Sequence, residues 1–86
     1  MEKPNIDDEL TLLIDSHKAE AICAEVLDDP GTEGGVLIKV MTRDRLQEGQ
    51  QCWIVGRDGS KVGASVERVL KQTIDSEVTL STVLPA

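Results

Sequence analysis

Histidine, cysteine and carboxylate side chains are the groups in this sequence that could take part in chemistry. His17 could activate the thiol of Cys23 or Cys52 as a nucleophile if the fold brought them together. His17 and Cys23 are six positions apart, which does not place them on one face of a helix, and Cys52 lies in an apolar segment where a thiol is ordinarily unreactive. We therefore predict that the protein is not an enzyme and that both cysteines are reduced and packed.

Metal ligands at recognisable spacing are also scarce. The single histidine and the two isolated cysteines lack the paired spacing of a zinc site, so we expect no cofactor. The loop from Asp28 to Glu33 differs, because the carboxylates of Asp28, Asp29 and Glu33 could ligate a hard cation such as calcium. The same composition is typical of a solvated turn, and its spacing is not that of an EF-hand. A small protein that binds calcium or another divalent cation through this loop is the alternative functional hypothesis.

Charge is distributed unevenly along the 86 residues, which carry a net charge of −7. Residues 1–33 hold ten acidic and two basic side chains, whereas residues 34–86 hold six acidic and seven basic ones. Phosphate groups of nucleic acids and of anionic membranes require clustered basic side chains. The charge pattern therefore argues against nucleic acid and membrane as partners.

A protein with a basic surface is the partner that this charge pattern favours. Complementary potentials accelerate association and select partners, so we predict a protein-binding adaptor, or a regulatory or inhibitory accessory protein, although a run of carboxylates can also be plain solvated surface. Exposed strand edges would permit a homo-oligomer as well. The residues expected to contact the partner are Asp7, Asp8, Glu9, Asp28, Asp29 and Glu33.

The location predicted from the sequence is the cytoplasm. The first residues have neither a basic nor an apolar signal region, and no apolar run is long enough to cross a bilayer. No internal repeat is apparent in the residues, so we expect one small domain over residues 1–86.

The acidic residues must be positioned by the first part of the chain, whose spacing predicts helices. Asn5 can cap a helix, and the apolar positions that follow share one helical face. These positions are Ile6, Leu10, Leu13 and Ile14. From Ala19 to Leu27 the spacing again fits a helix, although Ile22, Cys23 and Val26 also suit a strand. The choice between helix and strand stays open for this segment.

The remainder of the chain has β character. Val36 to Met41 and Cys52 to Val55 are short apolar segments typical of buried strands, and Asp58-Gly59 predicts a tight hairpin. We therefore predict an α+β fold, in which one or two acidic N-terminal helices pack on a small antiparallel sheet of about four strands. The sheet's expected core consists of Val36, Ile38, Val40, Ile54, Val62, Ala64, Val66 and Leu80.

One stretch of the chain carries a family resemblance. It comprises Leu46-x-x-Gly49, Cys52 to Val55, Asp58-Gly59 and Val62-x-Ala64-x-Val66. This pattern resembles that of Tudor-like and translation-factor-type small β-barrels, which usually serve as binding modules. The aromatic cage with which some of them hold methylated cations cannot form here, because Trp53 is the only aromatic residue. The resemblance implies an alternative fold, a mainly-β Tudor-like small barrel with an N-terminal helix.

Overall fold

The computed structural model describes residues 2–84, and this part of the chain forms six antiparallel strands without a helix. No helix long and apolar enough to cross a membrane is present among those residues. The strands close into a barrel in the order β1-β2-β3-β6-β5-β4, with β4 paired to β1. Their bounds are β1 Glu9–Ile14, β2 His17–Asp28, β3 Gly35–Thr42, β4 Gln51–Val55, β5 Lys61–Lys71 and β6 Ser76–Val83.

The predicted α+β architecture is therefore wrong, and the first predicted helix is β1. Leu10, Leu12 and Ile14 point alternately into the barrel and are all buried, whereas Ile6 is 65% exposed. A closed barrel buries one face of every strand, so alternation with a period of two determines the structure here. The helical spacing was misleading because it grouped the exposed Ile6 with the buried Leu10 and Ile14.

For the second segment, where both helix and strand were left open, the structure shows a strand, because residues 17–28 form β2. Ala19, Ala21 and Cys23 face the core in strict alternation. A β-bulge at Ala24 then shifts the register between Cys23 and Glu25. The shift changes the phase of the alternation, and this change of phase imitated a helical repeat.

The strand positions and the hairpin predicted for the rest of the chain agree with the structure, although the sheet has six strands instead of about four and Trp53 faces outward. The two predicted buried strands correspond to β3 and β4, and the predicted hairpin joins β4 to β5, with Gly59 at a φ of 84°. The alternative fold, a small barrel, fits the architecture except for its N-terminal helix. The barrel core contains every predicted sheet residue except Val62, which packs partly buried against it.

An internal repeat, which the residues did not reveal, organises the barrel. The strands β1, β2 and β3 form one meander, and β4, β5 and β6 form another with the same pairing. We call residues 4–42 the N-terminal half and residues 46–83 the C-terminal half. Where β1 meets β4, exchanging the halves maps the ladder onto itself about a pseudo-two-fold axis. The ladder pairs are Thr11–Val55, Leu12–Ile54 and Leu13–Trp53.

Buried side-chain hydrogen bonds repeat in the two halves. The Thr42 hydroxyl donates to the Glu20 carbonyl oxygen at 2.8 Å, and the Thr82 hydroxyl donates to the Gly63 carbonyl oxygen at 2.6 Å. Each half also has a bulge in its long strand, at Ala24 in β2 and at Glu67 in β5. The register therefore matches residue by residue across the pseudo-two-fold axis.

The turn before each first strand repeats as well. Asp7 N–H donates to the Cys23 carbonyl at 2.7 Å, and Gly49 N–H donates to the Val66 carbonyl at 2.8 Å. Asp7 and Gly49 both have a positive φ, of 74° and 87°. Few equivalent positions keep the same residue, which explains why the repeat is hard to detect. Identical equivalent pairs include Ala21 with Ala64, Val26 with Val69, Leu27 with Leu70 and Thr42 with Thr82.

Candidate functional site

The predicted contact residues lie beside the C-terminal part of β2, from Cys23 to Asp28. Asp7 and Asp8 lie in the turn before β1, which is held against β2 because Asp7 N–H donates to the Cys23 carbonyl and Cys23 N–H donates to the Asp8 carbonyl. Asp28 ends β2, and Lys3 Nζ reaches its Oδ1 at 3.1 Å. The N-terminal segment thus follows β2 and brings both acidic clusters to one side of the barrel.

We call this surface the acidic flank. Its two clusters are separated by the strand from Cys23 to Asp28, roughly 17 Å at the usual rise per residue. Glu25 is exposed between them, and sequence reasoning missed it because the choice between helix and strand stayed open for this segment. The acidic flank comprises Asp7, Asp8, Glu9, Glu25, Asp28, Asp29 and Glu33.

One basic side chain forms an ion pair with this flank. Lys3 pairs with Asp28 through side chains that are 58% and 85% exposed. Exposed ion pairs contribute little to stability and constrain their side chains weakly. The pair therefore leaves the flank strongly negative and accessible to an external cationic group.

Two carboxylates at the β2–β3 loop have hydrogen-bonding partners within the chain. Asp29 Oδ1 accepts the Gly31 N–H at 3.1 Å, and Asp28 pairs with Lys3. Within residues 2–84 no group of three or more His, Cys, Asp or Glu side chains is arranged to hold a metal ion. Asp28 and Asp29 thus each have a hydrogen-bonding partner within the chain.

The thiols and the histidine lie in unlike surroundings. Burial raises the pKa of Cys52, and burial followed by the charge of Asp8 raises the pKa of Cys23, so both thiols are held protonated. His17 Nε2 lies 3.1 Å from Asp44 Oδ1 at the exposed start of β2. The hydrogen-bond partner of the histidine is thus a carboxylate rather than a thiol.

A second surface feature, which sequence reasoning missed, surrounds Trp53. Trp53 lies on the outer face of β4 and is 54% exposed, although an apolar segment predicted it to be buried. It stands opposite Gly63 of β5 in the ladder. A groove of about 680 Å³, which we call the Trp53 groove, runs along this face, and its lining includes Leu13, Asp15, Thr32, Trp53, Gly63 and Val83.

The pseudo-two-fold axis relates the Trp53 groove to an equivalent groove of about 980 Å³ in the other half. Thr11 occupies there the position of Trp53, and Glu20 occupies that of Gly63. The equivalent groove is rich in charge of both signs. Its charged lining residues are Glu9, Lys18, Glu20, Arg43, Asp44, Arg57 and Asp75.

No protein-family model, curated protein or solved structure matches this chain.

Proposed function

We propose that this protein is a non-enzymatic interaction module, an adaptor or a regulatory or inhibitory accessory protein, that binds a basic protein surface through the acidic flank. The observation that supports it most is the gathering of two separate acidic clusters beside β2 by the N-terminal segment. The N-terminal half holds nine acidic and two basic side chains, whereas the C-terminal half holds five and four. The negative charge is thus concentrated on one side of a small barrel.

Electrostatic recognition of this kind has a definite physical signature. Exposed charges interact over about 8–10 Å at ordinary ionic strength and are screened by added salt. The flank would steer a basic partner toward the barrel and reject anionic surfaces, including nucleic acid and membrane. Such a module would act in the cytoplasm, where its two thiols stay reduced. Pairing with a second copy at a strand edge, which the sequence led us to expect, loses its basis, because every strand of the closed barrel has a partner on both sides.

The test compares two variants with the same change of net charge. In Glu9→Lys/Asp28→Lys two exposed acids of the flank are reversed, and in Glu48→Lys/Glu67→Lys two exposed acids of the C-terminal half are reversed. We expect a partner retained by immobilised wild-type protein from its source lysate to fall about tenfold or more with the flank variant, and to stay within about twofold with the control. Circular dichroism checks that both variants fold.

Salt provides the second measure in the same experiment. Retention by the wild type should fall steeply as salt rises from about 50 to about 500 mM, because screening shortens the range of the flank's field. Equal retention by the two variants, or binding that does not respond to salt, would contradict the proposal.

A further inference from the structure

Trp53 lies on the outside of the barrel and not in its core. It is the only aromatic residue of the chain and yet is 54% exposed, while aliphatic side chains fill the core. Aromatic side chains supply large apolar area, which a small core ordinarily needs. Exposed tryptophans are common among the residues that dominate the energy of protein interfaces. The position of Trp53 therefore suggests a contact outside the chain.

The other half of the barrel is an internal control for this interpretation. At the position equivalent to Trp53 the N-terminal half has Thr11, and at that of Gly63 it has Glu20. Both halves keep the same ladder and the same threonine-to-carbonyl hydrogen bond. The barrel thus requires neither the indole nor the glycine at these positions.

Gly63 keeps the floor of the Trp53 groove low. A Cβ at Gly63 would meet Trp53 Cζ3 at 3.8 Å, an ordinary van der Waals contact, and the glycine has no positive φ. Neither sterics nor the backbone therefore demands glycine. The indole ring thus lies within van der Waals distance of this position, and a side chain longer than alanine at residue 63 would meet the ring.

The chemistry of the groove selects an occupant. Leu13 and Val83 supply apolar walls, and Val83 is 54% exposed. Among the described residues, Asp15 is the one charged side chain in the lining, and Thr32 brings the acidic β2–β3 loop to the other border. An occupant that complements this lining is apolar with an adjoining positive charge, because a cation can bind both the indole face and the Asp15 carboxylate.

We propose that the Trp53 groove docks a segment of a partner protein in which apolar side chains adjoin a lysine or arginine. The apolar side chains lie between Trp53, Leu13 and Val83, and the cation reaches Asp15. A volume of about 680 Å³ is within the range of small-ligand sites and accommodates a few side chains. This site borders the acidic flank at the β2–β3 loop but shares no lining residue with it, and the proposal does not depend on the function proposed above.

The intrinsic fluorescence of Trp53 provides the test, because no other tryptophan contributes to the emission. The probe is an acetylated and amidated peptide, Lys-Leu-Val-Leu-Lys, with two comparison peptides. One replaces both lysines by glutamate, and the other replaces the apolar residues by serine. We expect a saturable blue shift with the first peptide, binding at least about tenfold weaker for the glutamate peptide, and no shift with the serine peptide.

Variants identify the groove as the site. Gly63→Leu fills the floor and should abolish the shift while the circular dichroism spectrum stays unchanged. If that variant does not fold, Asp15→Asn serves instead, since asparagine tolerates the φ of 55° at this position, and we expect affinity to fall about fivefold. In Trp53→Thr/Thr11→Trp the fluorophore moves to the equivalent charged groove, where the peptide should cause no shift.

Several results would overturn the proposal. These are the absence of saturable binding up to millimolar peptide, equal affinity for the lysine and glutamate peptides, or wild-type binding by a folded Gly63→Leu variant. A blue shift that grows with protein concentration alone would show that a second copy occupies the groove. The flank variant Glu9→Lys/Asp28→Lys should bind the peptide within about twofold of wild type, and complete loss there would assign the binding to the flank instead.

Discussion

The N-terminal and C-terminal halves have the same backbone arrangement, but the side chains on their outer surfaces differ. The inward positions and the hydrogen bonds of Thr42 and Thr82 are equivalent, whereas the outward positions differ in size and charge. Thr11 and Trp53 occupy equivalent positions in the two halves, and so do Glu20 and Gly63. The barrel therefore constrains the side chains of its inner face and leaves those of its outer face free to differ. Residues that bind a partner are accordingly expected among the outward side chains.

The largest expected effect tests whether both halves support the core equally. Leu12 and Ile54 pair with each other at the pseudo-two-fold axis, and both are fully buried. Leu12→Ala and Ile54→Ala should each lower the free energy of unfolding by about 3–4 kcal/mol, measured by urea denaturation, because each leaves a cavity. Ile54→Val is the mild control, at about 1 kcal/mol. A large difference between the two alanine variants would break the equivalence.

The turns before β1 and β4 give the next effect, and here the substitutions in the two halves should differ in the size of the stability change. Gly49 has a φ of 87°, which disfavours a side chain, so Gly49→Ala should cost about 1–2 kcal/mol of stability. The equivalent residue, Asp7, has a φ of 74°, which glycine adopts without strain. Asp7→Gly should therefore change stability by less than about 0.5 kcal/mol. Urea denaturation of both variants measures this, and equal losses in the two would show that the turns are not equivalent.

The repeated hydroxyl bonds predict smaller effects. Thr42→Val and Thr82→Val each remove one donor to a backbone carbonyl while keeping the shape of the side chain. Thr82→Val should lower the free energy of unfolding by about 1 kcal/mol, and Thr42→Val by slightly more, because the Thr42 hydroxyl also accepts the Asp44 N–H at 3.2 Å. The double variant should show nearly additive loss, since the two bonds lie in different halves. A loss confined to one half would indicate that the other bond contributes nothing.

The smallest effect distinguishes the two hairpins. Hydrogen bonds from the Ser60 hydroxyl and N–H lower the pKa of Asp58 below its ordinary value of 3.8, while the β1–β2 hairpin closes with only Asp15 and Ser16. A lowered pKa in the folded state stabilises the fold above the ordinary pKa, and this stabilisation is lost as the pH falls through the folded value.

Asp58→Asn measures that contribution. The difference in stability between wild type and Asp58→Asn should shrink as the pH falls from about 6 to about 3, followed by urea denaturation. Ser60→Ala should reduce the same pH dependence, because it removes the hydroxyl donor. A difference that grows toward low pH would have the wrong sign.

The part of the fold from Gly35 onward was predicted from the sequence better than the part before it, for physical reasons. From Gly35 onward the strands alternate or form short apolar segments bounded by turn residues, which predict β structure directly. In β2 the bulge at Ala24 interrupts the alternation, and the outward-facing Ile22 and Leu27 add apolar residues that a strand pattern does not expect. Barrel closure depends on pairing between distant strands, which no local pattern encodes.

The candidate surfaces show the same limit. Composition was enough to locate the acidic clusters around Asp7 and Asp28, because charge is visible in the residues themselves. Their position on one side of the barrel depends on the backbone hydrogen bonds that join Asp7 and Asp8 to Cys23, which only the fold supplies. The segment from Cys52 to Val55 was interpreted as a buried strand, since an apolar segment does not show which of its faces points outward.

The ladder at the pseudo-two-fold axis has a consequence for how the chain folds. Within each half, neighbouring strands pair across short connections, so each meander can form early and independently. The two halves join only where Leu12 meets Ile54 and where Ile38 meets Leu80, and these partners are distant in sequence. Contacts between distant residues slow folding, since loop-closure entropy is lost before they form. Docking of two preformed meanders is therefore the expected rate-limiting event, and mutations at these seams should slow refolding more than mutations inside either meander.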